Sequence, residues 1–72
     1  MKNVSKIIGL TIREIRNEKR ISQEEFSQIT GVHRTYISPL ENGLKNPSIG
    51  TLKRMLDRLD ISLSDFFQKA KL

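Results

Sequence analysis

The sequence predicts an all-α fold built from five short helices. Three observations carry that reading. Apolar residues recur at intervals of three and four, the period of a helix buried along one face. Ser-x-x-acid patterns stand before two of the apolar runs, Ser22 to Glu25 and Ser62 to Asp65, and mark helix starts. No segment alternates convincingly with period two, so β-structure has little support.

The first helix is expected over about Ser5 to Lys19. Ile8, Ile12 and Ile15 form its apolar face, and Arg13, Glu14, Arg16, Glu18 and Lys19 fill much of the rest. The second begins after Ser22, whose hydroxyl can accept from an N3 amide while Glu25 reaches back. Ile21 before the cap and Phe26 after it fit a hydrophobic staple. This helix ends near Thr30, with Gly31 as a left-handed C-cap. Val32 plugs the corner. The third helix starts at His33 or Arg34 and runs to about Glu41, where Asn42-Gly43 ends it. After the loop LKNP, Ser48 caps a fourth helix carrying Ile49, Leu52, Met55, Leu56 and Leu59, with Pro47 placed before the cap at no cost in helical bonding. Asp60 closes it. Ser62 opens a fifth helix with Leu63, Phe66 and Phe67, and the tail QKAKL is expected to fray. No linker, repeat or low-complexity tract divides the chain, so one domain over residues 1–72 is expected, with its core at about 5–68.

Length and composition exclude several classes of function. Seventy-two residues give room for one small core. There is no cysteine and only one histidine, so neither a disulfide, a structural zinc site nor any other metal site is expected. The single histidine has no adjacent acid, and no Gly-rich phosphate loop is present, so an enzyme is not expected and no cofactor is implied. There is no long apolar run and no signal-type start, so no membrane association is expected and a cytoplasmic protein is. The formal net charge of +5, with a pI near 10.0, favours a polyanionic partner.

The helix from Gln23 to Thr30, the Gly31-Val32 corner and the helix from Arg34 to Glu41 make a compact pair. A three-to-four-residue turn with glycine between two short helices is the spacing of a helix-turn-helix. In that arrangement the second helix enters the major groove of duplex DNA, its N-terminal residues at the base edges. Arg34, Thr35 and Ser38 lie on one side of this helix, and Ile37 and Leu40 face inward.

The stretch ISQEEFSQITGVHRTYISPLENGLKNPSIGTLKRML resembles the helix-turn-helix domain of the phage Cro and repressor family, also called the xenobiotic-response-element family. HRTYIS followed by LENG and NPS is similar in particular to the controller proteins of restriction–modification systems. The likeness covers about residues 8 to 67. It implies a five-helix, prokaryotic or phage-encoded domain that binds palindromic operators, usually as a homodimer. It implies base contacts from Arg34, Thr35, Ser38 and Pro39, phosphate contacts from Gln23 and Asn42, and a partly buried ion pair between Arg16 and Glu41.

The residues carry their own chemistry beside that resemblance. Arg34 can pair bidentately with guanine O6 and N7, and Thr35 can offer a hydroxyl and a methyl. Gln23 stands at a helix N-terminus, where amides and a side chain together grip a phosphate. His33, Tyr36, Lys45 and Asn46 are further candidates for phosphate contact. One or two of Leu63, Phe66 and Phe67 should complete the core, and a spare aromatic with Leu59 or Ile61 could form a two-fold interface, as the resemblance to controller proteins implies; otherwise the core absorbs them all. Glu24 and Glu25 offer an acidic pair that could meet RNA polymerase. Without a separate effector domain, no small-molecule effector is expected. The alternative reading is an antitoxin-like or other protein-interaction module in which DNA binding is secondary. Pro39 is the irregular feature: it lacks the amide that would donate to Thr35, and it predicts an outward-facing position and a bend or a widened first turn in the third helix.

Overall fold

Each helix begins where a side chain replaces the missing backbone acceptor at its N-terminus. In the computed structural model, which describes residues 3–72, α1 runs Val4–Glu18, α2 Gln23–Thr30, α3 Arg34–Glu41, α4 Ile49–Arg58 and α5 Leu63–Ala70. Met1 and Lys2, part of the expected domain, lie outside the described residues. No strand occurs among the described residues. Asn3, Ser22, His33, Ser48 and Ser62 cap the five helices in order. At Ser22 the full capping box forms: its hydroxyl accepts from the Glu25 amide at 3.0 Å, and the Glu25 carboxylate accepts from the Ser22 amide at 3.2 Å.

The same turn occurs twice. Arg20 and Asp60 each take a left-handed conformation, with φ of 58° and 55°. The following isoleucine amide then reaches back to close the helix, from Ile21 to Arg16 O at 3.0 Å and from Ile61 to Leu56 O at 3.2 Å. Each isoleucine precedes a serine cap and, four residues further, a fully buried phenylalanine, Phe26 or Phe66. ISQEEF and ISLSDF are thus two copies of one local device. The Ser-x-x-acid half of it is legible in the sequence; the left-handed turn before each isoleucine is not.

One core joins all five helices. Ile8, Ile12 and Ile15 of α1 meet Phe26 of α2, Ile37 and Leu40 of α3, Leu52, Met55 and Leu56 of α4, Leu59 at the C-cap of α4, and Phe66 of α5. The tail does not fray as expected. α5 continues to Ala70, which is buried, and Lys69 pairs with Glu18 of α1 at 3.2 Å.

Gly9 sets the distance between α1 and α3. A Cβ there would lie 2.0 Å from the carbonyl oxygen of Leu40 and 3.0 Å from the Cα of Glu41. Only glycine lets the two backbones meet this closely. At Gly43, just beyond α3, φ is 78° and a Cβ would lie 2.9 Å from the Cα of Lys6. The C-terminal end of α3 is therefore pressed against α1, and its N-terminal end points away from that contact.

Candidate nucleic-acid interface

The α2–α3 corner is built from its side chains outward. Gly31 takes φ 73° and its amide donates to Ser27 O. The Thr30 hydroxyl donates to Phe26 O at 2.6 Å and accepts from the Val32 amide at 3.1 Å, while Val32 itself is buried. The Gly31 and Val32 amides and the Thr30 hydroxyl are thus all paired within the corner. His33 is the N-cap: its Nδ1 accepts from the Thr35 amide at 3.1 Å.

With Ile37 and Leu40 fully buried, the opposite side of α3 faces outward. Arg34 and Thr35 are exposed, and Ser38 and Pro39 are half-buried beside them. Pro39 interrupts less than expected. The helix is continuous through it, and both Tyr36 and Ile37 amides donate to His33 O, at 2.9 and 3.2 Å. The first turn is thus tightened rather than widened. The Pro39 carbonyl accepts from Asn42 and Leu44, so the loss of one amide bond is local.

Arg16 and Glu41 form a bidentate pair, Nε to Oε2 at 2.8 Å and Nη2 to Oε1 at 2.9 Å. They are only 8% and 3% exposed. Arg16 Nη1 also donates to Ile21 O at 2.7 Å, which ties the α1–α2 turn to the same group. Gln23 Nε2 donates to Glu41 Oε1 at 3.0 Å, and Arg13 Nε lies 3.5 Å from it. Burial alone would raise the Glu41 pKa. The hydrogen bonds from Arg16 and Gln23 and the charges of Arg16 and Arg13 outweigh it, and the carboxyl is held below its ordinary value.

Two residues, Arg13 and Gly9, take roles that the helical pattern alone does not assign. Arg13, one of the residues filling the polar part of α1, bridges Glu41 and Asn42, donating to Asn42 Oδ1 at 2.8 Å. The signal was its place three residues before Arg16, on the same flank of α1. Gly9 carried no sequence signal, because an isolated glycine in a helical run does not say what approaches it.

The candidate phosphate ligands gather around the N-terminal ends of α2 and α3 and the α3–α4 loop. Half of the Gln23 amide is committed to Glu41, which leaves one N–H and the open backbone amides of the first turn of α2. Asn42 gives its oxygen to Arg13 and keeps its NH₂ free to donate. Lys45 is exposed, Asn46 accepts a hydrogen bond from Ser5 of α1, and Tyr36 is half-buried against the core.

The five candidates for the two-fold interface divide between core and edge. Leu59 and Phe66 are 1% and 0% exposed in the core of their own chain. Ile61, Leu63 and Phe67 lie at its edge, only partly covered, with Phe67 edge-on to Phe66 at 5.6 Å between ring centroids. Glu24 and Glu25 are both exposed, and one oxygen of Glu25 closes the capping box. Among the described residues no group of acids and histidine could hold a metal ion, and no helix is long and apolar enough to cross a membrane.

The sequence pattern of the helix-turn-helix family matches residues 12–66. The chain belongs to the helix-turn-helix family. This helix-turn-helix protein is 35% identical over 68 residues to the control protein C.MunI of a Mycoplasma species, covering 93% of this chain and 92% of that one. It is 37% identical over 59 residues to the ImmF control region 10 kDa protein of Bacillus phage phi105, covering 82% of this chain and 66% of the relative. Its fold matches the restriction–modification controller protein C.Esp1396I, solved as a tetramer on its natural 35 base-pair operator. The TM-score is 0.89 and the identity 28%, over 99% of this chain and 93% of that one.

Proposed function

We infer that the protein regulates transcription by sequence-specific binding to duplex DNA, with α3 in the major groove. It is a regulator of the Cro/repressor type and not an enzyme. The observation that carries this reading is the split character of α3. Its C-terminal end is locked by Gly9 and the Arg16–Glu41 pair, and its N-terminal end presents Arg34 and Thr35 to solvent. A rigidly held helix with polar groups at one end is what base readout requires. Arg34 and Thr35 are the main base-reading groups, with Ser38 and Pro39 at the flank. Gln23, His33, Tyr36, Asn42, Lys45 and Asn46 hold the backbone on either side.

The chain acts as one domain, in the cytoplasm of a bacterium or of a phage-infected cell. Two copies bind a palindromic site, joined through Ile61, Leu63 and Phe67. A single domain of this size contacts too little DNA to hold a half-site tightly, and pairing two half-sites removes that limit. The tetramer of C.Esp1396I on its operator supports the dimer as a unit that further assembles on DNA. Glu24 and Glu25, both exposed, are the groups offered to RNA polymerase. Footprinting of genomic fragments with purified protein tests the reading. A protected palindrome is expected, and failure to retain any duplex at low salt would contradict it.

A further inference from the structure

The geometry points to His33 as a positioning residue that fixes the hydrogen-bond polarity of Thr35, so that Thr35 reads the amino group of adenine or cytosine. The inference rests on the proposed reading in which α3 enters the major groove. Four of the five helices are capped by serine or asparagine, and only α3 uses an imidazole. Two groups of Thr35 reach the same ring nitrogen: its amide at 3.1 Å and its hydroxyl oxygen at 2.8 Å.

The amide can only donate, so Nδ1 carries no proton and the ring hydrogen sits on Nε2. A hydroxyl oxygen 2.8 Å from a bare nitrogen must then donate to it as well. The proton of Thr35 is thereby spent within the protein. Thr11 and Thr30 spend theirs differently, on the carbonyls of Ile7 and Phe26 four residues earlier. Thr35, in the first turn of α3, has no helical carbonyl at that distance, and His33 supplies the acceptor instead.

Toward an outside partner Thr35 Oγ1 now offers lone pairs alone. In the major groove the donors are adenine N6 and cytosine N4, while guanine O6 and N7 and thymine O4 are acceptors. Thr35 therefore favours an amino-bearing base and turns away from guanine and thymine. Because threonine is branched at Cβ, the same contact also fixes its methyl group. His33 Nε2–H, on the far side of the ring, stays available to a phosphate.

Selection from a randomised duplex pool tests this with wild type, Thr35→Val, His33→Gly and His33→Asn. Wild type should prefer adenine or cytosine over guanine or thymine at one position of each half-site, by about two- to tenfold for one hydrogen bond. Thr35→Val should flatten that position. His33→Gly, a mild change for a cap, should flatten the same position and leave the other preferences intact. His33→Asn places an oxygen where Nδ1 stood and should restore the preference, although both His33 variants lose affinity uniformly. If Thr35→Val flattens the position and His33→Gly does not, Thr35 reads the base unaided and the assignment to His33 is wrong. If Thr35→Val changes no position, Thr35 reads no base and the inference falls while the wider reading stands. No enrichment by wild type at all would overturn both.

Discussion

Arg16 and Glu41 show how a few atoms hold α3 in place. Their charges are almost entirely out of water, and the pair is sustained because each carboxylate oxygen has a donor and the guanidinium has a third partner at Ile21. Removing one side leaves the other charged, buried and alone. Arg16→Ala should therefore cost about 3–5 kcal/mol of stability, measured by urea denaturation, whereas an exposed change such as Lys53→Ala should cost little. A loss for Arg16→Ala as small as that for Lys53→Ala would mean that water reaches Glu41. The same pair gives stability a dependence on pH. The Glu41 pKa is lowered by folding, so its contribution is present above the unfolded carboxylate range and is lost as pH falls through the folded value. Melting temperatures of wild type should fall between neutral pH and about pH 3 more steeply than those of Glu41→Gln. Parallel curves would remove Glu41 as a source of the acid sensitivity.

The contact between α1 and α3 depends on one missing side chain. Gly9→Ala places a methyl group against the backbone of Leu40, which cannot rotate aside as a side chain would. It should destabilise the fold by about 1–3 kcal/mol, even though alanine is the better helix former. A neutral or stabilising result would show that the helices can separate without loss. Most of the elements could be read from the chain: the serine caps, Gly31 and the isoleucine, leucine and phenylalanine positions each report a local rule, and local rules need no partner to be seen. Gly9 and Arg13 could not be read this way, because their roles exist only against α3, which lies far along the chain. Leu59 and Phe66 show the same limit from the other side. Periodicity marked them as apolar, but only packing could tell that they fill their own core while Ile61, Leu63 and Phe67 remain at its edge. At the α3–α4 loop, exposed Lys45 and Asn42 with its free amide are the kind of groups that a sequence can nominate but cannot place.

At the scale of the whole molecule, the net charge of +5 sets a field that draws the chain to DNA, and the held helix decides where it stops. These two effects separate experimentally. Lys45→Ala should weaken binding to all duplexes alike and lower the salt slope by about one unit per protomer, leaving sequence preference intact. A change in preference would place Lys45 at a base. The most direct measurement is the ratio of affinities for the selected operator and a scrambled duplex at matched salt, for wild type, Arg34→Ala and Pro39→Ala. On the proposed reading Arg34→Ala removes a bidentate contact to a base and should lower the ratio about tenfold or more, and Pro39→Ala far less. An unchanged ratio for Arg34→Ala would contradict base readout from the N-terminal end of α3.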